Sequence, residues 1–415
     1  MKVAFHTLGC KVNQYETQAM IEQFSKRGHQ IVSEDSFADA YILNTCSVTN
    51  IADRKSRQYI RKMKKVNPDS LIAVTGCYAQ MSGQEIFDLP EVDIVAGINE
   101  KHKILDYLEK GEKAIHILPY KELKEYVETG SIVSMESRTR AYIKVQEGCN
   151  RFCSYCIIPY ARGPVRYRKV QDVLNEAEGL VKAGFKELIL TGINTALYGE
   201  DGIEVLIKEI SQIPGDFRIR LSSLEPTVVN AEYVKRLLKY PKLCHHLHLS
   251  LQSGSDKILS LMNRKYDRNQ YLDIVKALKD FDPCYGITTD IIVGFPGETE
   301  EDFEYSVDMV KEVDFCKVHV FQYSKRPGTK AISMPGQVPS PIKKERSERL
   351  IALGDRPFLE KNLGQVRRVL FEENNAGYTD NYIKVYVDAG PMGTFCDVML
   401  DEIYEDGIKG HIVVE

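Results

Sequence analysis

Gly148-Cys149-Asn150-Arg151-Phe152-Cys153-Ser154-Tyr155-Cys156 follows directly on the apolar run Tyr142-Ile143-Lys144-Val145. The run reads as a strand and the glycine-led stretch as a tight loop at its end. Three thiols at C-x3-C-x2-C spacing can ligate three irons of a cubane [4Fe-4S] cluster, which normally takes a fourth cysteine. One iron is then left open to another ligand. A structural zinc site needs four ligands, usually as two paired motifs, and no second close pair of cysteines exists.

Downstream of this loop the chain alternates between strand and helix signals. Strands are expected near 141–146, 187–191, 217–222, 246–251, 286–292 and 316–322. Val170, Val173, Leu174, Ala177, Leu180 and Val181 trace one apolar helix face between the first two. Six βα units are too few for a closed eightfold barrel, so 139–340 is expected to form an open, partial (β/α)6 TIM-like barrel. Thr191-Gly192-Ile193-Asn194, Ser222-Ser223-Leu224-Glu225, Leu251-Gln252-Ser253-Gly254, Val293-Gly294-Phe295-Pro296 and Gln322-Tyr323-Ser324 fall at the ends of successive strands. Barrel active sites are built from loops at that edge.

Upstream, residues 1–118 alternate in the same way and predict a parallel sheet with helices packed on it. Lys2 to Thr7 reads as a strand ending at Gly9-Cys10, and Ala40 to Leu43 as one ending Asn44-Thr45-Cys46. A third, Leu71 to Thr75, ends Gly76-Cys77, and Gly28 sits where the first helix should be capped. Each cysteine thus lies just past a strand's C-terminal end, the edge where open α/β sheets bind ligands. Cys10, Cys46 and Cys77 read either as small buried hydrophobes or as a metal site whose thiolates are favoured by helix N-termini. Residues 112–139 are polar and irregular, as a linker would be. After the proline-rich break at 334–341, residues 363–415 alternate as strands punctuated by Gly377, Gly390, Gly393 and Gly410, which predicts a small β-barrel.

The bulk numbers narrow the class. The chain has 415 residues, 43% hydrophobic and 27% charged, as a multidomain globular protein does. No apolar run reaches the ~18 residues a membrane helix needs, and the N-terminus lacks a signal-peptide pattern. A cytoplasmic protein with no membrane partner is expected, and with it reduced thiols. The net charge of −4 excludes a chain basic throughout, but nucleic-acid binding depends on local clusters. Residues 54–65 hold Arg54, Lys55, Arg57, Arg61, Lys62, Lys64 and Lys65 with no acid. Arg162, Arg166, Arg168 and Lys169 form a second basic run beside the cysteine loop. Either is a solvated face or a set of phosphate contacts; the second is the more persuasive because it borders the expected active site. Arg367, Arg368, Tyr378 and Tyr382 could add contacts from the C-terminal barrel by charge and stacking. Cys244, Cys284, Cys316 and Cys396, and the run His245-His246-Leu247-His248, read as structural.

The cysteine loop resembles the signature of the radical S-adenosylmethionine (SAM) superfamily. Leu8-Gly9-Cys10-Lys11-Val12-Asn13-Gln14-Tyr15-Glu16-Thr17, Asn44-Thr45-Cys46-Ser47-Val48-Thr49 and Thr75-Gly76-Cys77-Tyr78-Ala79-Gln80 resemble the methylthiotransferase family. So do Cys156-Ile157-Ile158-Pro159-Tyr160-Ala161-Arg162-Gly163, Leu249-Ser250-Leu251-Gln252-Ser253-Gly254-Ser255-Asp256 and Phe321-Gln322-Tyr323-Ser324-Lys325-Arg326-Pro327-Gly328-Thr329. The resemblance spans the chain in the family's order: cluster domain, radical domain, small TRAM-like RNA-binding domain.

That resemblance implies two [4Fe-4S] clusters, one on Cys149, Cys153 and Cys156 and an auxiliary one on Cys10, Cys46 and Cys77. The first would bind SAM and cleave it to a 5′-deoxyadenosyl radical. The second would carry the sulfur, methylated by another SAM. Tyr155 would pack near the SAM adenine, and Thr191, Asn194, Glu225, Gln252 and Gly294 would line the SAM pocket. The implied reaction places CH3S on C2 of a modified adenosine, with the tRNA anticodon stem-loop, an electron donor such as flavodoxin or ferredoxin, and a sulfur donor as partners. C2 of adenine offers no acidic proton, so cofactors must carry this chemistry. Family members act on adenosine 37 of certain tRNAs or on a ribosomal-protein aspartate. Ala52-Asp53-Arg54-Lys55-Ser56-Arg57-Gln58 and the Cys10 string resemble the branch acting on N6-threonylcarbamoyladenosine, with the isopentenyladenosine branch and the ribosomal protein as alternatives. Lys11-Val12-Asn13 departs from the Gln-Met-Asn usual in the isopentenyladenosine branch, and Tyr167 stands where relatives usually have serine. A non-catalytic iron–sulfur RNA-binding protein is the rival from another class.

Overall fold

The computed structural model of the chain describes residues 1–47, 50–111, 113–130, 132, 139–200 and 202–413, with 50–52 described in backbone only. They form two compact units. The first comprises Met1–Met135, Lys144–Lys169 and Ser324–Thr329, the second Glu136–Ile143, Val170–Tyr323 and Lys330–Glu415. The cysteine loop, read from the sequence as the start of the central barrel, therefore packs with the N-terminal sheet.

In the first unit six parallel strands lie in the order Gln30–Val32, Lys2–Thr7, Ala40–Thr45, Leu71–Gly76, Ile94–Ala96, Ala114–His116. Successive side chains point to opposite faces. Ala4, Tyr41, Leu43, Ile72 and Val74 enter one apolar core, and Val3, Phe5, Ala40, Ile42 and Ala73 the other. Both faces are covered, as a parallel sheet requires. The three strands that end in cysteine stand where the sequence puts them. The other three have three residues each, too few for a period-two signal. Ala114–His116 falls inside 112–139, so the stretch expected as a linker opens with an edge strand; residues 112, 131 and 133–138 lie outside the described ones. The helix Lys11–Lys26 ends with Arg27 as cap and Gly28 at φ +81°, a left-handed position suited to glycine.

In the second unit Arg218–Leu221, Glu187–Thr191 and Arg140–Lys144 form one sheet in that order. Ser223–Leu224, His246–Leu249, Gly286–Val293 and Lys317–Gln322 form the next. The one strand expected over 217–222 is broken at Ser222, and a parallel bridge between Ile219 and Leu243 runs beside the break. Helices alternate with these strands, giving the open partial barrel. Two of the helices, Arg268–Phe281 and Glu300–Val313, begin with full capping boxes, on Asp267 with Gln270 and on Thr299 with Asp302.

The C-terminal segment closes into a five-stranded barrel in the order Val366–Phe371, Ala376–Thr379, Lys384–Tyr386, Gly407–Ile412, Phe395–Tyr404. Val369, Phe371, Ile383, Val385, Val398, Leu400 and Ile408 fill it. Buried Glu187 on the central sheet accepts from Arg218 Nε and from Arg220 Nε (2.9 Å) and Nη2 (3.0 Å). Those guanidinium groups in turn donate to the barrel carbonyls of Tyr378, Thr379 and Asp380. Gly286 packs so closely that a Cβ there would lie 2.1 Å from the Asn381 carbonyl oxygen. Among the described residues no helix is long and apolar enough to cross a membrane.

Candidate functional site

The cysteine loop is shaped by its backbone. Gly148 has φ +72°, and a Cβ there would sit 1.9 Å from the carbonyl oxygen of Pro164, so only glycine fits. The Cys149 amide donates to Gly163 O (3.1 Å), and Cys156 closes a turn onto Cys153 O (2.9 Å). Gln146 Nε2 donates to Gly148 O (2.7 Å). The strands Gln146–Glu147 and Arg166–Tyr167 pair antiparallel, clamping the base of the loop. Phe152, between two cysteines, adopts φ +49°, an uncommon backbone state for a non-glycine residue. Cys153 is buried, while Cys149 and Cys156 are partly accessible.

The N-terminal thiols converge. A Cβ on Gly9 would meet Cys46 Sγ at 2.9 Å, so Cys46 lies directly against the backbone that leads into Cys10. Gly9 and Gly76 both have positive φ, and a Cβ on Gly76 would strike the Thr45 carbonyl oxygen at 2.2 Å. These two glycines let three neighbouring strand ends close up. Cys10 caps the helix Lys11–Lys26 without a side-chain cap bond, and Cys77 opens the helix Cys77–Met81. Burial pushes the Cys77 thiol up, against the opposing pull of Arg162. None of the six thiols is in a disulfide. Among the described residues no three His, Cys, Asp or Glu side chains close on a single point as one metal ion needs. Two sets of three thiols held by rigid glycine turns, one set beside a guanidinium, suit a multi-iron cluster, whose ligands are spread wider than those of a lone ion.

Behind Cys77 lies a buried charge network. Arg162 Nε donates to Cys77 Sγ at 3.2 Å. Its Nη1 reaches Glu16 Oε1 (3.0 Å) and Glu147 Oε1, and its Nη2 donates to Asn13 Oδ1 (2.6 Å). Lys144 Nζ bonds Glu16 Oε1 (2.6 Å) and Glu147, and Lys101 Nζ bonds Glu16 and Asn44 Oδ1 (3.2 Å). Burial alone would raise Glu16, but Arg162, Lys101 and Lys144 hold it well below the ordinary carboxylate range. Sequence reasoning missed these residues as a group. Asn13 and Glu16 stand three apart on one helix face of the Cys10 string, which is the signal that could have found them.

The basic rim expected from Arg162, Arg166 and Arg168 does not form, because all three are buried. They are only 0%, 4% and 2% exposed. Arg166 donates to Asn99 Oδ1 (2.8 Å) and the Arg162 carbonyl, and Arg168 Nε to Glu128 Oε1 (2.7 Å). Guanidinium groups buried inside the fold on such partners cannot meet phosphates. On the helix Asn50–Val66 the picture is mixed. Arg54, Lys55 and Arg61 are exposed, but Arg57 bonds Tyr78 Oη and Glu85 (3.1 Å). Arg326 pairs with Asp53 (2.8 Å) and with Ser47, the residue after Cys46. In the C-terminal barrel Arg367 is tied to Asp282 (3.2 Å) and Arg368 to Asp216 (2.7 Å). Tyr382 stacks on His246 and lies under Arg220. Those side chains serve docking of the barrel.

In the second unit the structure joins two of the residues assigned to the SAM pocket, Asn194 and Glu225. Asn194 Nδ2 donates to Glu225 Oε2 (2.9 Å), and Thr191 Oγ1 bonds Ser222 Oγ (3.4 Å), at or just after the C-terminal ends of the strands Glu187–Thr191, Arg218–Leu221 and Ser223–Leu224. Arg264, which sequence reasoning missed, braces Glu225 Oε1 at 3.3 Å. Gln252 has φ +65° and is locked by backbone bonds to Asp290 O (2.8 Å) and from Ile292 N (2.9 Å). The Gly294 amide donates to Glu298 Oε2 (2.6 Å), and a Cβ there would strike Lys343 Cγ at 2.1 Å. Burial raises Glu298 to about 7, against the pull of that amide and of Arg346. Tyr155 lies in the first unit, half-buried between Cys153 and Cys156.

Known proteins resemble the chain over most of its length. Residues 143–310 match the Radical SAM superfamily and residues 2–97 the uncharacterized protein family UPF0004. The chain is 43% identical, over 92% of its length and 89% of the relative's, to threonylcarbamoyladenosine tRNA methylthiotransferase MtaB of Bacillus subtilis. It is 41% identical to the protein of that name from Aquifex aeolicus, over 93% of this chain and 96% of that one. It is 36% identical to tRNA-2-methylthio-N(6)-dimethylallyladenosine synthase of Clostridium tetani, over 92% and 84%. Among solved structures the radical S-adenosylmethionine methyltransferase TsrM of Kitasatospora setae shares the fold, with TM-score 0.60 at 14% identity over 80% of this chain and 77% of that one. With a radical SAM loop, an N-terminal three-thiol sheet edge and relatives this similar over nine tenths of its length, the chain belongs to the radical SAM tRNA methylthiotransferase family.

Proposed function

We propose that the chain converts N6-threonylcarbamoyladenosine at position 37 of tRNA to its 2-methylthio derivative, with one SAM as methyl donor and one as radical source. The observation that carries this reading is the convergence of Cys10, Cys46 and Cys77 in the same unit as the Cys149 loop. A radical SAM loop alone serves many reactions, whereas adding sulfur as well as carbon calls for a second site that can hold sulfur. In this reading Cys149, Cys153 and Cys156 hold one [4Fe-4S] cluster and Cys10, Cys46 and Cys77 the auxiliary one. Together with SAM these groups supply a one-electron route to an unactivated C–H bond and the sulfur to place there.

The chain's own residues bind and orient. Asn194, Glu225 and Thr191 offer polar groups at adjoining strand ends, with Gln252 and the Gly294 turn beyond them, to bind SAM. Tyr155 packs on its adenine. Arg54, Lys55 and Arg61 contact phosphates, which positions the anticodon stem without reading its sequence. The C-terminal barrel acts as a TRAM-like RNA-binding module. A flavodoxin or ferredoxin supplies electrons, a separate donor replenishes sulfur, and the work is done in the cytoplasm. The threonylcarbamoyl substrate is favoured by the names of the more similar relatives. Anaerobically reconstituted protein, given SAM, a reductant and tRNA carrying either modification, tests the choice. Methylthiolation of the isopentenylated tRNA alone would sink it. Loss of SAM cleavage on replacing Cys149, Cys153 and Cys156 by alanine separates the enzyme from a non-catalytic binding protein.

A further inference from the structure

We infer that Arg162 is a positioning residue for the auxiliary site: it donates to the Cys77 sulfur and supplies the counter-charge that sets the reduction potential of an iron–sulfur group held there. The inference rests on the reading that Cys10, Cys46 and Cys77 ligate such a group.

Arg162 has no exposed surface, and its Nε lies 3.2 Å from Cys77 Sγ. Among the described residues that bond in this network the buried charges do not balance. Arg162, Arg166, Lys101 and Lys144 are four cations; Glu16 and Glu147 are the two carboxylates that meet them. Among the described residues Arg166 finds neutral acceptors in Asn99 and two carbonyls, and its Nε has no hydrogen-bond partner among them. Buried charge without compensation is costly, and a neutral Cys77 thiol offers none. A [4Fe-4S] core on three thiolates carries one net negative charge when oxidised and two when reduced. An anion of that size beside Cys77 offsets the surplus and is favoured most in its reduced form. Hydrogen bonds to sulfur and local charge are the levers that tune such clusters.

The placement adds a link. Arg162 ends the helix Ile158–Arg162, which begins two residues after Cys156. The next residue, Gly163, accepts the Cys149 amide. One turn of chain thus shapes the radical loop while its side chain touches the other thiol set, so the two sites are built as one piece.

The test uses the full chain with Cys149, Cys153 and Cys156 replaced by alanine, reconstituted anaerobically so that only the auxiliary site can load. Iron content and a redox titration followed by electron paramagnetic resonance are read for that protein and with Arg162→Gln, Arg162→Lys or Glu16→Gln added. Arg162→Gln should lower the equilibrium constant for reduction at least about tenfold, a shift of ~59 mV to more negative potential. Glu16→Gln should shift it the opposite way, and Arg162→Lys should stay nearer the parent. A purely structural role would not give opposite signs. Equilibrium constants for reduction within threefold of the parent at full loading, or shifts of the same sign, overturn the inference. If Arg162→Gln does not load, Glu16→Gln and Arg162→Lys decide it, and an empty but folded Arg162→Lys protein contradicts a role through charge. Absence of iron from the parent itself overturns the auxiliary-cluster reading instead.

Discussion

Arg162 and Asn13 are joined by a 2.6 Å hydrogen bond from the guanidinium Nη2 to the amide Oδ1. Asn13 passes the constraint on, its Nδ2 donating to the carbonyls of Leu8 (2.7 Å) and Thr45 (3.0 Å), the backbone that delivers Cys10 and Cys46. A single fully buried side chain therefore ties two strand ends to the residue that touches Cys77. Asn13→Ala leaves two carbonyls and a guanidinium without that partner. The expected cost is about 2–4 kcal/mol, seen as a lower thermal midpoint, with a partial loss of N-terminal iron.

Gly148→Ala tests the shape of the radical loop. Its Cβ would overlap the Pro164 carbonyl and strain a positive φ. Iron at the Cys149 site should fall steeply, while the N-terminal thiols keep theirs. Iron counted with Cys149, Cys153 and Cys156 replaced by alanine, and separately with Cys10, Cys46 and Cys77 replaced, separates the sites. Equal loss at both would show general misfolding.

Glu187 gives the second unit a pH signature. Burial would raise its pKa, but Arg220 and Arg218 hold it far below the ordinary value of 4.5. A depressed carboxylate contributes stability above its unfolded pKa and loses it as pH falls through the folded one. Glu187→Gln should cost about 3–5 kcal/mol at neutral pH, since it leaves two buried guanidinium groups uncompensated. The gap from wild type should shrink as pH drops below 4.5. A gap that stays constant down to the acid transition would contradict the charge account.

The surviving basic face predicts a division of effects. Arg54→Glu, Lys55→Glu and Arg61→Glu together should weaken tRNA binding about tenfold or more and flatten its salt dependence. Arg166→Ala should instead lower stability, because its guanidinium is spent on Asn99 and Arg162. Filter binding across salt concentrations and thermal melts distinguish the two.

Sequence read well where a signal was local and repeated. The six cysteines, the six strand regions of the two central sheets and four of the five barrel strands could be placed from spacing and alternation. The three-residue strands of the N-terminal sheet could not, because Gln30–Val32 and Ala114–His116 are defined by pairing rather than pattern. Arg162, Arg166 and Arg168 deceived for a related reason. A run of arginines looks the same whether its partners are solvent or Glu16, Glu147, Asn99 and Glu128, and those lie between 15 and 146 residues away. Tyr382 likewise reads as a stacking surface until Arg220 and His246 occupy its faces.

The central claim is tested most directly by mass spectrometry of tRNA nucleosides from cells lacking this gene and holding no second enzyme of the kind. The account predicts that 2-methylthio-N6-threonylcarbamoyladenosine disappears, its unmethylthiolated precursor accumulates, and any 2-methylthio-isopentenyladenosine is unchanged. Persistence of the threonylcarbamoyl product at its normal level would contradict it.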